Sequence, residues 1–357
     1  MASKSWGKWE RIDNEQMEGG QAHVFKVRDT TGQLPGVFAL KRLKNDKRLD
    51  RFEQEIRLTS SIDSPYVSKI HHYDITSKEK FYVIDYYKKG SLEDAFNLRK
   101  EPLSFGEKVA LCIDIATGLQ VLQDHPKPIV HRDLKPDNIY LRDDGQSIVI
   151  GDFGLSYDEE GTRHTLSEEA AGSWHFMHPE FEDGGQIDVY PYHDYYSFGK
   201  VVYWIFSEGK HFSQQKHRLP KYDLTLLDNL KDNKANIGNY AMVNNLLDRL
   251  ITLDTVNRHH HIDMIRSDLV KIQRVHMHNY HPLLDEPGAH TCDWCGLGKY
   301  YEAGSPSVFR EPGVSISNPD YRKEFVCGTC GHVQIFFSAG GGLGKKWFKK
   351  NPTTETK

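Results

Sequence analysis

Hydrophobic and polar residues alternate over short runs in the first quarter of the chain. Between about Trp9 and Asp85 lie the runs HVFKV, VFALKRL and KFYVIDY, which turn residues such as Thr31-Gly32 and Pro35-Gly36 separate. A two-residue period of this kind is typical of half-buried strands. The pattern therefore predicts a small antiparallel sheet.

Helical spacing of apolar residues interrupts this sheet once and then dominates the chain. Within Asp50 to Ser61, the residues Phe52, Ile56 and Leu58 recur at roughly helical intervals. Beyond Gly90 the helical segments are PLSFGEKVALCIDIATGLQVLQ, HDYYSFGKVVYWIFSEG and VNNLLDRLITL. A mainly helical domain is therefore predicted to follow the sheet.

Composition adds limits to this picture. With 357 residues, 38% of them hydrophobic, the chain can bury one large core or two moderate ones and carry a smaller appendage. The net charge of −4 creates no global field that would favour nucleic acid or an anionic membrane. The longest apolar run, Val201 to Phe206, is too short to cross a bilayer, and the N-terminus lacks a signal-peptide core. A cytoplasmic location without a membrane partner is expected.

Two motifs in the helical part carry candidate chemistry. Residues 131–138 read HRDLKPDN, and Asp152-Phe153-Gly154 follows them. Together they resemble the eukaryotic-type (Hanks-type) serine/threonine protein kinase family. The resemblance implies an α+β, bilobal kinase-like fold within residues 9–278. Its small antiparallel β lobe with one helix would span about 9–85, and its larger, mainly helical lobe about 86–278.

The same resemblance implies roles for the motif residues. In-line transfer of a γ-phosphoryl group needs a carboxylate near the attacking hydroxyl and metal ligands that neutralise charge on the phosphate oxygens. By the resemblance, Asp133 orients and deprotonates the substrate hydroxyl, and Lys135 steadies the γ-phosphate of ATP. Asn138 and Asp152 would hold Mg²⁺.

Further nucleotide contacts are expected upstream. Lys41 closes a β-type run and, by the resemblance, contacts the α and β phosphates; its partner is Glu55, with Glu53 as the weaker candidate. The glycine-rich loop departs from the family, because Met17 and Ala22 stand where outer glycines are usual. The other expected nucleotide-binding residues are Gly19, Gly20, Val24, Ala39 and Asp85.

Three downstream positions extend the resemblance to Arg258. Glu180 is expected to form an ion pair with Arg258, in a segment where His178 replaces the usual alanine. Asp194 is expected to accept hydrogen bonds from the backbone of the catalytic loop.

Details of these motifs indicate the substrate class and a form of regulation. Lys135 and Ser173 are characteristic of serine/threonine kinases, so a protein substrate is expected. Arg132 suggests a phosphate on the activation loop, which the kinase could place there itself. The candidate acceptors are Thr162, Thr165 and Ser167. Neighbouring acidic residues at 158–160 and 168–169 could mimic that charge instead, and both alternatives stay open.

Four of the five cysteines form two C-x-x-C-G knuckles near the C-terminus: Cys292, Cys295, Cys327 and Cys330. Four thiolates can close a tetrahedral Zn²⁺ shell, and a cytoplasmic location argues against disulfides. The sequence predicts a small structural zinc ribbon-like β module at 290–338, after a linker at 279–289. A redox dithiol is the competing use. The basic Gly/Lys tail, 339–357, is predicted to be disordered.

The leading hypothesis is a kinase that transfers phosphate from ATP to protein Ser or Thr, while the zinc module recruits a substrate or regulator. One alternative is an ATP-binding pseudokinase scaffold, which the altered glycine loop favours. Another is a kinase-regulated nucleic-acid-binding protein, in which the zinc module and the basic tail bind a nucleic acid.

Overall fold

The structure, a computed structural model, describes the chain in several stretches. They are residues 4–13, 17–18, 22–154, 156, 175–181, 188–213, 216–217, 219–226, 237–277, 300–302, 322–327, 333–339 and 346–349. The chain divides into two compact units. The first comprises Met1–Gln215 and Leu250–Arg266, and the second comprises Lys216–Arg249 and Ser267–Lys357.

An antiparallel sheet opens the first unit. Its strands are β1 (Ser5–Trp6), β2 (Trp9–Arg11), β3 (Met17–Glu18), β4 (Ala22–Asp29), β5 (Phe38–Leu43), β6 (Ile70–Asp74) and β7 (Phe81–Asp85). They lie in the order β1-β2-β4-β5-β7-β6, with β3 paired to β4. The predicted antiparallel sheet is therefore confirmed, and it begins at Ser5, four residues before the predicted start.

The two faces of this sheet carry separate cores, because successive residues of a strand point to opposite sides. In β5, Phe38 and Leu40 join a cluster with Trp9 and Val83. Ala39, between them, faces the other way and packs with residues of helix α1 (Leu49–Ser60). The predicted segment was Asp50 to Ser61, so the helix begins and ends one residue earlier than predicted.

Helices form most of the remaining first unit, as the spacing predicted. They are α2 (Leu92–Leu98), α3 (Phe105–Gln123) and α4 (Pro191–Phe206). The end of α5 (Ile237–Leu250) and the start of α6 (Ile262–Met277) also belong to this unit. The Ser104 hydroxyl accepts a hydrogen bond from the Glu107 backbone N–H, and the Glu107 carboxylate accepts one from the Ser104 backbone N–H. This reciprocal capping fixes where the helix starts.

A short hairpin lies between α3 and α4. Its strands are β8 (Ile139–Leu141) and β9 (Ile148–Ile150), which pair in antiparallel register. The turn has Gly145 at a φ of 69°, a conformation that glycine adopts without strain. The hairpin holds the catalytic-loop motif at one end and Asp152 just beyond the other.

The second unit contains the rest of α5 and α6 and a second sheet. Within it, Arg249 and Asp268 lie 3.4 Å apart. The sheet consists of β10 (Tyr300–Glu302), β11 (Arg322–Cys327), β12 (Val333–Ala339) and β13 (Lys346–Lys349), all antiparallel and in sequence order. Strands β10 and β11 and most of β12 fall within residues 290–338.

Strand β13 corrects one expectation. The tail from residue 339 to 357 was predicted to be disordered, yet Lys346–Lys349 pairs with β12 from Phe336 to Ala339. The composition of a segment indicates whether it would be ordered in isolation. Here the edge of β12 provides backbone hydrogen-bonding groups with which the segment pairs, and the composition of the tail does not reveal that partner.

None of the described helices combines the length and the apolar character that crossing a bilayer requires.

Candidate active site

The catalytic-loop residues form a small hydrogen-bonded group. The carboxylate of Asp133 accepts hydrogen bonds from Lys135 Nζ at 3.0 Å and from Asn138 Nδ2 at 2.9 Å. Asn138 also donates to the Asp133 carbonyl at 2.8 Å. Pro136–Asn138 is a short 3-10 turn, which lets one amide reach both groups. The Asp133 carboxylate is thereby held in a defined orientation.

A buried aspartate fixes the backbone that precedes this group. Asp194, in the first turn of α4, accepts hydrogen bonds from the backbone N–H of His131 at 2.6 Å and of Arg132 at 2.8 Å. This confirms the contact predicted for Asp194. Arg132 adopts a φ of 66°, a conformation that costs a non-glycine residue free energy and needs such support.

Lys41 and Glu55 meet between β5 and α1. Their Nζ and Oε1 atoms lie 3.4 Å apart, and both side chains are largely buried. Of the two glutamates considered, Glu55 is the one opposite Lys41, whereas Glu53 is exposed. The fourteen-residue spacing thus places both side chains on facing elements.

A tyrosine that the sequence did not single out joins this pair. Tyr82 lies opposite Lys41 in the β5–β7 register, and its hydroxyl donates to Glu55 Oε1 at 2.5 Å. The Tyr82 ring also packs on Phe52 of α1, with centroids 5.1 Å apart. Tyr82 of β7 therefore fixes the Glu55 carboxylate of α1 by a hydrogen bond from the sheet.

Charges in this cluster modify one another. Burial raises the pKa of Glu55, while Lys41 and the Tyr82 hydroxyl oppose that rise. Burial disfavours the charged form of Lys41, yet Glu55, Tyr82 and Asp152 outweigh it and hold the pKa of Lys41 well above its usual value. Lys41 is therefore a permanent cation at neutral pH.

Asp152 connects this cluster to the catalytic loop. Burial works against its charge, but Lys41, His131 and Lys135 hold the pKa of Asp152 below its usual value. Its φ of 64° is a strained conformation for aspartate. The side chain is therefore an ionised carboxylate within the field of cations from both halves of the site.

Asp152 and Asn138 offer atoms that suit Mg²⁺. A carboxylate and an amide oxygen are the hard oxygen ligands that this ion prefers. Because Asp133 uses the Asn138 amide nitrogen, the amide oxygen is the atom left for a cation. The donor set therefore fits the predicted ion.

The other predicted nucleotide contacts lie on the sheet. Val24 pairs with Lys41 across β4 and β5, and Ala39 pairs with Ile84 across β5 and β7. The Asp85 carboxylate is held by His71 Nε2 at 2.8 Å, so a nucleotide contact from Asp85 would use its backbone. Gly19 and Gly20 lie outside the described residues, between the paired strands β3 and β4.

Further residues near the site were missed by sequence reasoning. Gln54 of α1 donates to the Ser156 carbonyl at 2.7 Å in a buried position, and the Ser156 hydroxyl donates to the His131 carbonyl at 3.2 Å. The Tyr140 ring stacks on Tyr87, with centroids 5.1 Å apart, and a Cβ on Gly151 would lie 2.8 Å from it. No local motif marks any of them, because each depends on long-range contacts.

The predicted Glu180–Arg258 ion pair does not form among the described residues. Glu180 Oε2 is bound by His193 Nε2 at 2.9 Å and by the Tyr192 hydroxyl at 3.2 Å. The Arg258 guanidinium lies over the Tyr192 ring instead, 3.6 Å from its centroid. The aromatic ring of Tyr192 offers Arg258 a cation–π contact in place of the carboxylate.

Several predicted positions fall outside the described residues. They are Thr162, Thr165, Ser167 and Ser173, and the knuckle cysteines Cys292, Cys295 and Cys330. Cys327 is the last residue of β11, for which the backbone is described.

Comparison with known families gives one match over most of the chain. The family model described as "Protein kinase domain" matches residues 15–269. That range contains every residue of the group around Asp133 and of the cluster around Lys41.

Curated relatives match over about half of the chain. LRR receptor-like serine/threonine-protein kinase FEI 2 of Arabidopsis thaliana is 33% identical over 205 residues, which is 56% of this chain and 34% of that protein. Probable serine/threonine-protein kinase PBL5 of the same plant is 30% identical over 208 residues, 56% of this chain and 48% of that protein. Serine/threonine-protein kinase PBL27 of Arabidopsis thaliana is 32% identical over 192 residues, 52% of this chain and 36% of that protein. The chain thus spans less than half the length of each.

Proposed function

The chain belongs to the protein kinase domain family, and on that basis we propose that it transfers the γ-phosphoryl group of ATP to serine or threonine hydroxyls of proteins. The observation that carries this proposal is the position of Asp152. Its ionised carboxylate lies within the fields of Lys41 and Lys135 together, so the β5 half and the catalytic-loop half of the site converge on one carboxylate. The relatives' names support serine and threonine as acceptors.

Each side chain has a separate task in this proposal. Asp133 accepts the proton of the substrate hydroxyl, and the hydrogen bond from Asn138 keeps it aimed at that hydroxyl. Lys135 balances negative charge on the transferred group, and Lys41 binds the α and β phosphates while Glu55 holds its ammonium group in place. Asp152 and Asn138 would hold Mg²⁺, which supplies positive charge that stabilises the phosphate oxygens when bound.

Replacement of Asp133 by asparagine tests the proposal. The amide keeps the shape but cannot accept the proton, so the rate of phosphate transfer should fall by roughly 100-fold or more. The measurement incubates full-length protein with labelled ATP, Mg²⁺ and a generic protein substrate, followed by phosphoamino-acid analysis.

Asp137→Asn is the matched control, because Asp137 is an exposed carboxylate of the same loop. It should transfer phosphate at the rate of the unmodified protein. If the unmodified protein bound ATP but labelled nothing above the Asp133→Asn level, the proposal would fail and the pseudokinase alternative would replace it. Label on tyrosine alone would refute the assignment of the acceptor.

A second part of the proposal concerns the four knuckle cysteines. We propose that they hold one structural Zn²⁺ beside the β10–β13 sheet and that this module recruits a substrate or regulator, in a cytoplasmic setting where thiols stay reduced. Support comes from the paired C-x-x-C-G spacing and from Cys327 at the end of β11, opposite Tyr300 of β10.

Zinc content of two cysteine variants tests this part. Cys327→Ser should lose one equivalent of zinc per chain, because a hydroxyl replaces a thiolate ligand. Cys112→Ala is the control, since the Cys112 thiol is buried in the first unit and should leave the zinc content unchanged. Equal zinc in both variants, measured by atomic emission on chelator-free preparations, would contradict the module.

A further inference from the structure

Two buried histidines and a glutamate lie together around the Pro179–Phe181 turn and the start of α4. His178 precedes the short 3-10 turn Pro179–Phe181 that contains Glu180, and His193 lies in the first turn of α4. One nitrogen or oxygen atom from each of the three side chains lies within 4.8 Å of the others. We call these residues the His–Glu–His cluster. None of them has a part in the proposed phosphate transfer.

One tautomer of His193 is oriented as a metal ligand would be. Its Nδ1 atom lies 2.9 Å from the carbonyl oxygen and 3.0 Å from the backbone nitrogen of Tyr190, and its Nε2 atom lies 2.9 Å from Glu180 Oε2. Histidines that bind metals usually donate the second ring N–H to a carbonyl or carboxylate, which fixes the tautomer with a lone pair on the other nitrogen. With the proton on Nδ1, His193 directs a lone pair at the Glu180 carboxylate, and a cation between them would satisfy both. With the proton on Nε2, His193 donates to Glu180 directly, so a bound cation would replace that hydrogen bond.

His178 has a buried nitrogen without a partner. The residue is 1% exposed, and its Nε2 atom has no hydrogen-bond partner among the described residues. A buried polar atom left in this state costs free energy.

Among the described residues, neither a lysine nor an arginine forms an ion pair with the Glu180 carboxylate. Its hydrogen-bond partners there are His193 and Tyr192. Arg258, the cation expected there, lies over the Tyr192 ring. The Glu180 side chain is 45% exposed, so an ion from solvent can reach its carboxylate.

We infer that the His–Glu–His cluster binds Zn²⁺ through His178 Nε2, His193 Nε2 and the Glu180 carboxylate, with water as the fourth ligand. Two imidazoles and one carboxylate form a donor set that suits zinc. Bonds of about 2.1 Å place tetrahedral ligand atoms about 3.4 Å apart. The half-exposed Glu180 side chain can adjust to reach that spacing.

Binding also selects the ring form of His178. Its Nδ1 atom now accepts the Glu180 backbone N–H at 3.2 Å, a long hydrogen bond. Coordination through Nε2 requires the proton on Nδ1, so this weak bond would be exchanged for a metal bond. The ion would then join the Pro179–Phe181 turn to the start of α4, where the family usually has an ion pair.

Zinc titration of the full chain tests the inference. The unmodified protein, His178→Ala, Glu180→Gln and a control, His125→Ala, are titrated with Zn²⁺ against a chromogenic chelator. His125 is exposed and contacts the Lys127 carbonyl, so its removal should change nothing. The unmodified protein should bind one zinc more than His178→Ala, and Glu180→Gln should weaken that zinc by about tenfold or more. Alanine is the residue usual at position 178, so the first variant should fold.

X-ray absorption at the zinc edge identifies the ligands without any variant. The additional zinc should have only nitrogen and oxygen neighbours, which separates it from zinc bound by the knuckle cysteines. Added zinc should also raise the Tm of the unmodified protein more than that of His178→Ala. Equal zinc binding in all four proteins, or sulfur ligands on every zinc, would overturn the inference.

Discussion

Tyr82 shows how one side chain can decide the charge state of another. Glu55 is buried, and burial alone would favour its neutral form. The Tyr82 hydroxyl donates a hydrogen bond to the ionised carboxylate and so opposes that effect. Loss of either Lys41 or the Tyr82 hydroxyl would therefore raise the pKa of Glu55 further.

Replacing Tyr82 by phenylalanine should expose this dependence. The ring packing on Phe52 remains, but the pKa of Glu55 rises because its ionised form loses a donor. A smaller fraction of Glu55 is then ionised at any acidic pH. When the pH is lowered, the phosphate-transfer activity of the variant should therefore begin to fall at a higher pH than that of the unmodified protein. The free energy of unfolding at neutral pH should drop by roughly 1.5 kcal/mol.

The measurement is kcat/KM for ATP as a function of pH, with Tyr73→Phe as the control. Tyr73 neighbours Tyr82 across β6 and β7 but its side chain is exposed. If Tyr82→Phe lowered activity equally at all pH values, the Tyr82 hydroxyl would not act through the pKa of Glu55.

Single residues of the site differ in how far the sequence revealed them. Asp133, Asn138 and Asp152 lie in contiguous motifs, so their roles could be predicted from the sequence alone. Glu55 could be separated from Glu53 only by which one faces Lys41. Tyr82 carried no local signal, since its importance comes from lying opposite Lys41 in a register that no sequence pattern fixes.

Helix α4 approaches the end of α5 and the residue after it closely at a glycine. A Cβ built on Gly199 would lie 2.6 Å from Leu250 Cβ and 2.9 Å from Ile251 Cγ1. A Cβ atom is fixed to its backbone and cannot rotate away. Gly199 therefore sets the distance between these two elements.

The variant Gly199→Ala should destabilise the protein by about 1–3 kcal/mol, because one of the two elements must move. Gly118→Ala in α3 is the matched comparison. Its nearest neighbour would be Ile150 Cδ1 at 2.7 Å, the end of a flexible side chain that can change rotamer. In both variants alanine favours the helix over glycine by roughly 1 kcal/mol, so the difference between them reflects the contact at each site. Urea unfolding should therefore show a larger loss for Gly199→Ala, and equal losses would contradict this account.

Elements were predicted well where their periodicity is long. Helices α1 and α3 have several turns of apolar spacing, and their bounds lie within a few residues of the predicted segments. The β8–β9 hairpin was missed inside a region interpreted as helical, because strands of three residues give too little alternation. The Asp144-Gly145 turn was the available signal. Strand β13 was missed because its pairing partner, β12, is what makes it a strand.

At the scale of the whole molecule, nucleotide binding should appear as stability. A ligand at 100 times its Kd adds about 2.7 kcal/mol to the free energy of unfolding. For a domain of this size that is a Tm increase of roughly 5–10 °C. Mg²⁺ with a non-hydrolysable ATP analogue should produce this shift in the unmodified protein, measured by scanning fluorimetry.

The Asp152→Asn variant should lose most of that shift, because the amide is a weaker ligand for the ion that accompanies the nucleotide. Asp137→Asn should retain it. An equal shift in Asp152→Asn, or an equal shift without Mg²⁺, would contradict the position assigned to Asp152. The experiment does not require phosphate transfer, so it also applies if the chain only binds ATP.

The convergence of distant residues was the part of the site that the sequence alone could not supply. Lys41 and Asp152 come from different elements, and only the folded chain brings their charges together. The resemblance implied that these two residues lie close together. It implied the Glu180–Arg258 ion pair in the same way, and that pair does not form among the described residues. That pair is replaced by contacts among Tyr192, His193 and Glu180, which depend on side chains particular to this chain.

The hydrogen bond between Gln54 and the Ser156 carbonyl has a mechanical consequence. It connects the helix that carries Glu55 to the chain just beyond Asp152. An outward movement of the helix would have to break this hydrogen bond or displace the backbone at Ser156. Because one such bond contributes only about 0.5–1.5 kcal/mol, the two parts are coupled and can still separate.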